Sequence, residues 1–204
     1  MRSNWIWFLG LIALTACQTG TNKPLPYLGD SEEIDGEMVY YQVPSFDYLN
    51  QDSLPVSDQS LKGNIYIADL FFTSCPSICP KVKQQLLRID KRFSDADRLK
   101  FLSMSIDYRK DSIPVLKRYA EKLGIDTKRW NLVQLPKDEI SSVANQYFNV
   151  AFEDESAPGG FDHSGRLILV DQDGHIRSHC DGTDAESVDG FIKDIAQLLD
   201  GQEQ

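Results

Sequence analysis

Two cysteines, Cys75 and Cys79, are separated by three residues, and a proline follows each of them. An apolar, β-rich run (64–72) precedes the pair, and a run with helical spacing of apolar residues (81–93) follows it. The sequence therefore predicts a buried strand that ends just before the cysteines and a helix that begins there. Pro80 suits the first turn of such a helix, because the N–H that proline lacks would have no partner there.

This position favours chemistry at sulfur. A helix N-terminus carries partial positive charge and unpaired N–H groups, and both favour thiolate over thiol. If residues 75–79 are helical, the two sulfurs lie on one face, one turn apart. The pair then suits either a soft metal or reversible disulfide chemistry, and a structural disulfide is the remaining interpretation. Thioredoxin-type redox sites usually have two residues between the cysteines, whereas this sequence has three.

The elements that would position this pair alternate between strand and helix. Apolar patterns and turn signals predict core strands at 64–72, 99–106, 130–135, 166–171 and 175–180, and helices at 81–93, 112–123, 137–148 and 185–199. Residues 46–57 predict an N-terminal hairpin, 37–44 a further strand, and 151–161 a loop. The expected fold is α/β, with a mixed central sheet flanked by helices and an N-terminal β-hairpin extension. A cysteine pair between the first core strand and the first long helix is the arrangement of a thioredoxin-like fold.

Length and charge limit the classes of function. The 204 residues, of which 41% are hydrophobic, are enough for one domain with a substantial core. The formal net charge of −10 argues against a nucleic-acid partner, because phosphates require a basic surface. The same charge would suit a partner with a basic docking face.

The N-terminus has the features of a targeting segment. An apolar run (5–14) is too short to span a bilayer but suits a signal peptide, and Leu14-Thr15-Ala16-Cys17 resembles a bacterial lipobox. We therefore predict a signal peptide at 1–16, a lipidated Cys17 with a flexible tether at 17–36, and the functional domain at 37–204. The protein would be a membrane-anchored lipoprotein facing the periplasm or the cell exterior. An ordinary secretory signal with an incidental cysteine is the alternative.

Other residues could supply ligands or thiols. His163 comes directly before a core strand, a place that adjoins the cysteine pair in a thioredoxin fold, and two thiolates with one imidazole suit copper in either oxidation state. His175 and His179 would lie about 13 Å apart on a strand, too far to share one metal. Cys180 would point to the opposite face from His179, as a core or interface cysteine, a resolving thiol or an alternative copper ligand.

The motif Thr73-x-Cys75-Pro-x-x-Cys79-Pro, followed far downstream by Asp-His-Ser at 162–164, resembles the Sco/SenC family of copper proteins. The resemblance extends to Phe46-Asp47-Tyr48-Leu49, to Leu61-Lys62-Gly63 and to the segment at 105–112, and it covers about residues 45–195. Three positions depart from the family pattern. Ser77 replaces a frequent acidic residue, Tyr108 stands where proline is usual, and Arg109 stands one residue early. We therefore expect a solvated or docking role for Arg109 and Asp111.

The resemblance implies a copper metallochaperone rather than an enzyme. Its copper, Cu(I) or Cu(II), would be bound by Cys75, Cys79 and His163. Its partner would be the copper A subunit of cytochrome c oxidase or another copper donor or acceptor. The alternative is a thiol–disulfide oxidoreductase, in which Cys75 attacks and Cys79 resolves, and His163 only modifies a pKa.

Overall fold

The structure, a computed structural model, describes residues 23–147, 151–153 and 161–201, with the backbone alone at 151–153 and 161–163. The predicted signal peptide and Cys17 lie outside the described residues. In the described part of the chain, the central sheet has five strands: β5 (Ile65–Phe71), β6 (Leu99–Ser105), β7 (Trp130–Gln134), β10 (Arg166–Val170) and β11 (Ile176–Asp181). Their spatial order is β11-β10-β5-β6-β7.

The register of this sheet confirms the predicted mixed topology. β5 pairs in parallel with β6, and β6 with β7, whereas β10 pairs antiparallel with both β5 and β11. All seven residues of β5 are buried, as expected for a strand covered on both faces. The carboxyl ends of β5, β6 and β7 therefore meet at one edge of the sheet, and the chain leaves β5 for the cysteines at that edge.

Helices cover both faces of the sheet. They are α1 (Asp58–Leu61), α2 (Ile78–Arg92), α3 (Ile113–Leu123), α4 (Ile140–Gln146) and α5 (Ala185–Asp200). Lys83 of α2 contacts Asp69, and Tyr119 of α3 stacks on Phe71, so both helices lie on the face to which these alternate β5 residues point. Two right-handed crossovers in the same direction, from β5 to β6 and from β6 to β7, require both helices to lie on one face.

The opposite face is covered in part by α4. The phenol of Tyr147, at the end of α4, lies 3.0 Å from the phenol of Tyr66 on β5, and both side chains are buried. The arrangement as a whole is the thioredoxin-like fold that the order of elements predicted.

Two N-terminal hairpins precede the sheet. The predicted hairpin over 46–57 is confirmed as β3 (Asp47–Leu49) paired with β4 (Pro55–Ser57). A second one joins β1 (Ser31–Ile34) to β2 (Glu37–Tyr40), partly inside the segment predicted as a flexible tether. Asp35 and Gly36, with φ of 53° and 85°, form its two-residue turn. Part of the predicted flexible tether, Ser31–Ile34, therefore lies in a strand. Every residue of both strands is exposed, so the sequence has no pattern of a buried face from which these strands could be predicted.

The chain before this hairpin is also attached to the domain. The guanidinium of Arg177 on β11 donates to the carbonyl oxygens of Leu25 and Pro26. The N–H of Leu28 donates to the carbonyl of Ile176 at 2.9 Å. Ordered structure therefore begins ahead of the hairpin, well before residue 37.

The loop predicted at 151–161 contains strand residues at both ends. β8 (Ala151–Glu153) pairs antiparallel with β9 (Phe161–His163), and Ala151 is opposite His163. Strands of three residues are too short to show an alternating pattern of apolar and polar residues, so the sequence predicted a loop here.

Candidate metal and thiol centre

The cysteine pair lies where β5 passes into α2, and both residues are buried, with 9% of Cys75 and 3% of Cys79 exposed. α2 begins at Ile78, so residues 75–79 do not form one continuous helical turn. The two side chains meet nevertheless. The N–H of Cys79, in the first turn of α2, points to the sulfur of Cys75 at 3.5 Å. Pro80 occupies the third helical position, as predicted for the first turn.

The two thiols differ in acidity. Burial raises the pKa of Cys75, but hydrogen bonds from the thiol and N–H of Cys79 and from Ser77 outweigh it, and the net pKa lies below the ordinary thiol value. Burial, and then the hydrogen bond to Cys75, raise the pKa of Cys79. Cys75 therefore carries the first negative charge of the pair, and Cys79 holds the remaining proton. Ser77, whose Oγ is 3.8 Å from the Cys75 sulfur, also stabilises that charge.

A buried carboxylate fixes the loop that carries Cys75. Asp111 follows β6 and is fully buried, which contradicts the expected solvated or docking role for this residue. It accepts hydrogen bonds from the Thr73 N–H at 2.8 Å, from the Thr73 hydroxyl at 2.5 Å and from the Ser105 hydroxyl at 2.6 Å. Asp111 thus ties the loop after β6 to the residue two positions before Cys75. Arg109, by contrast, is exposed.

His163 is placed by its backbone. It ends β9, three residues before β10 begins. Leu167 at the start of β10 pairs with Asp69 near the carboxyl end of β5, so the approach to β10 lies at the same edge of the sheet as the cysteine loop. The side chain of His163 lies outside the described part of the structure, and its role as a ligand stays a prediction.

Cys180 lies on β11, on the same face as Ile176 and Ser178, and all three are buried while His179 is exposed. Burial raises the pKa of Cys180 to about 12, so its thiol is protonated at neutral pH. His175 lies in the turn before β11, and its Nδ1 is 2.8 Å from the carbonyl oxygen of Tyr41, which is a structural contact. The structure thus places neither His179 nor His175 in the cysteine loop.

Lys83, which was not predicted from the sequence, is buried on α2 four residues after Cys79 and pairs with Asp69 at 2.8 Å. A lysine amid the apolar positions Val82, Leu86 and Ile89 was the available signal.

The donor set suits a soft, low-coordinate metal. Cys75 and Cys79 are both reduced, and their sulfur ligands favour Cu(I) or zinc. Among the side chains that the structure describes, no three His, Cys, Asp or Glu residues form a group that could hold a metal. The backbone of His163 lies at the same edge of the sheet as the two sulfurs, and its part in a metal site stays a prediction.

A thiol pair at the junction of the first core strand and the following helix, in a mixed five-stranded sheet, defines a thioredoxin-like protein with a sulfur-based site. Within that class the chain belongs to the SCO1/SenC family, whose model matches residues 37–200.

Three solved structures show the same fold. A SCO1/SenC family lipoprotein from Bacillus anthracis has a TM-score of 0.71 and 25% identity, over 78% of this chain and 95% of that one. BsSco, described as having a disulfide switch and as a member of the Sco family of cytochrome c oxidase assembly proteins, has a TM-score of 0.68 and 26% identity, over 78% and 94%. Arabidopsis thaliana ScoI, solved with copper bound, has a TM-score of 0.63 and 22% identity, over 76% and 98%.

Among the residues described, no helix is both long enough and apolar enough to cross a membrane.

Proposed function

We propose that this protein binds one copper ion through Cys75, Cys79 and His163 and delivers it during assembly of the copper A site of cytochrome c oxidase. The observation that carries the proposal is the contact between two buried, reduced thiols at the start of α2, with the Cys79 N–H directed at the Cys75 sulfur. Family membership and the oxidase-assembly role ascribed to BsSco support the choice of target.

The chemistry follows from two thiolates and few other donors. Soft sulfur ligands favour Cu(I), and a third, imidazole ligand leaves the metal open to attack. An incoming thiolate of the acceptor protein can then displace one ligand at a time, so that copper moves without being released to water. Oxidation of Cys75 and Cys79 to a disulfide would abolish this binding, which makes redox state a switch on copper loading.

We place the domain on the outer side of a membrane, held by a lipid on Cys17. The lipobox-like residues before Cys17 support this location, and the B. anthracis relative is described as a lipoprotein.

An anaerobic titration of the reduced domain with Cu(I) against a competing chelator tests the proposal. The wild type should bind one equivalent tightly, Cys75→Ser and Cys79→Ser should lose tight binding, and His163→Ala should weaken binding and alter the thiolate absorption of the Cu(II) form. Cys180→Ser tests the remaining buried cysteine separately, and it should keep tight binding because Cys180 lies on β11 rather than in the cysteine loop. Tight binding that survives in either motif-cysteine variant would refute the ligand set.

The second candidate function is thiol–disulfide exchange on extracytoplasmic cysteines. It is favoured by the unequal pKa values, since Cys75 would be the attacking thiolate and Cys79 the resolving thiol. The same titration separates the two functions. A wild type that binds no copper tightly, but whose Cys75–Cys79 disulfide is readily reduced, would assign the protein to the oxidoreductases.

A further inference from the structure

Lys83 is buried in the layer between α2 and the sheet, with only 2% of its surface exposed. Its ammonium nitrogen lies 2.8 Å from Asp69 Oδ2 and 2.8 Å from the Ser103 hydroxyl. The same nitrogen stands 4.1 Å from the centroid of the Phe71 ring. Two hydrogen-bond acceptors and one aromatic face satisfy its three protons, so the ammonium is held in one position.

A second layer of contacts fixes the partners of this lysine. The Ser103 hydroxyl donates to Asp69 Oδ1, and the indole N–H of Trp130 donates to Ser103 at 2.9 Å. A buried ion pair adds little to the free energy of unfolding, because apolar residues of similar volume often stabilise a core equally well. Stability alone therefore does not explain why Lys83 and Asp69 lie at this place in the core.

Lys83 is also close to Cys79 along α2. Lys83 follows Cys79 by four residues, so both lie on one face of α2, one turn apart. Asp69 precedes Cys75 by six residues on the strand that leads to it. Burial raises the pKa of Cys79, and the positive charge of Lys83 acts on the same thiol in the opposite direction. The fixed charge of Lys83 therefore acts on one of the two sulfurs at which negative charge accumulates.

We propose that Lys83 is a positioning residue of the metal centre and that its fixed charge makes the site selective for monovalent copper. This inference rests on the proposed copper function. Two thiolates and a neutral imidazole give a net charge of −1 with Cu(I) and of 0 with Cu(II). A nearby fixed cation therefore stabilises the Cu(I) form more than the Cu(II) form.

The test compares Cu(I) and Cu(II) affinities of the wild type with those of Asp69→Asn/Lys83→Gln. This double variant removes both charges but keeps a hydrogen-bonded pair, which avoids leaving one charge buried alone. The ratio of Cu(I) to Cu(II) affinity should fall by at least about threefold, a conservative figure because the loss of Asp69 offsets part of the effect. Lys83→Gln alone, which leaves Asp69 uncompensated, should lower the ratio further.

A second measurement, made without copper, is the thiol–disulfide equilibrium of Cys75 and Cys79 with glutathione. In glutathione buffers, Cys75 and Cys79 lose two electrons and two protons to form a disulfide, while oxidised glutathione is reduced to two thiols. The reduced pair is partly anionic and the disulfide is neutral, so loss of the Lys83 charge should shift this equilibrium toward the disulfide.

The matched control is Asp171→Asn/Arg177→Gln. This largely buried pair has the same 2.8 Å separation but lies at the opposite edge of the sheet, where β10 turns into β11. It should change thermal stability without changing the affinity ratio or the glutathione equilibrium. If the wild type binds copper tightly and the Lys83 double variant keeps the wild-type ratio, the inference fails while the proposed function stands. If the wild type binds no copper tightly, both fail.

Discussion

At the residue scale, the thiols of Cys75 and Cys79 differ in pKa, and Cys75 is the one that ionises first. The reduced protein should react with iodoacetamide first at Cys75, with a pH profile that lies below that of an ordinary thiol, because hydrogen bonds stabilise its thiolate. Cys180, with a pKa of about 12, should react slowly at neutral pH. Mass spectrometry of alkylated peptides between pH 5 and pH 10 measures this order.

The matched variant for this prediction is Cys79→Ala. Alanine removes the hydrogen bond from the Cys79 thiol to the Cys75 sulfur, so the profile of Cys75 should move to higher pH. A profile of Cys75 at the ordinary thiol pKa in both proteins would contradict the hydrogen-bonded pair.

Asp111 gives a second prediction at this scale. Asp111→Asn removes the charge that receives the bonds from Thr73 and Ser105, and it should cost about 2 kcal/mol of stability and loosen the cysteine loop. Cu(I) affinity should fall with it by about tenfold. Denaturant unfolding and chelator competition measure the two effects.

Asp107→Asn is the control for Asp111. Asp107 is equally buried, but its carboxylate accepts hydrogen bonds from the backbone N–H groups of Arg109 and Lys110 within its own loop. It should lower stability without lowering Cu(I) affinity. Equal losses of affinity in both variants would mean that Asp111 acts through the stability of the fold rather than through the cysteine loop.

The two motif cysteines could be predicted from the sequence, whereas the buried residues that contact their loop and helix could not. Spacing and neighbouring prolines are local properties, and they were sufficient to select Cys75 and Cys79. The roles of Asp111 and Lys83 depend on contacts with residues 38 and 14 positions away. From the sequence alone, a charged residue in a loop or helix is predicted to be exposed to solvent, and only the fold shows that it is buried.

At the scale of elements, the contact between Tyr66 and Tyr147 attaches the end of α4 to β5. Burial raises the pKa of both phenols, so the folded state keeps protons that the unfolded chain releases above about pH 10. This contribution to stability is complete below pH 10 and is lost as the pH rises beyond it. Tyr147→Phe should lower stability by about 1 kcal/mol at neutral pH and make the alkaline loss shallower by up to about 1.4 kcal/mol per pH unit.

Urea unfolding at pH 8 and pH 11 measures both quantities, with Tyr108→Phe as the control because Tyr108 is only partly buried and lies outside this contact. An unchanged alkaline slope in Tyr147→Phe would exclude Tyr147 as a source of the alkaline instability.

Elements with a buried face were the predictable ones. β5, β6 and α3 match the sequence prediction to within about two residues, and Gly124 ends α3 in the left-handed conformation expected of a helix stop. β1 and β2 have no buried residue, and β8 and β9 have three residues each, so neither pair produces the alternation from which strands are predicted.

At the scale of the whole molecule, the N-terminal segment is part of the folded unit. Arg177 binds the carbonyls of Leu25 and Pro26, and its guanidinium stacks on the Tyr27 ring at 4.1 Å. A domain that begins at residue 37 should therefore unfold at a lower temperature than one that begins at residue 23. Calorimetry of the two fragments measures the difference, and Arg177→Gln in the longer fragment should reproduce part of it. Equal melting temperatures of the two fragments would show that the docked segment contributes nothing to stability.

The central claim is that one copper ion is bound by two sulfurs from the start of α2 and one nitrogen from His163. X-ray absorption spectroscopy of the Cu(I)-loaded domain, in wild type and His163→Ala, tests it most directly. The account predicts two sulfur and one nitrogen ligands in the wild type, and loss of the nitrogen with retention of both sulfurs in the variant. A third sulfur ligand, or a nitrogen signal that persists without His163, would contradict it.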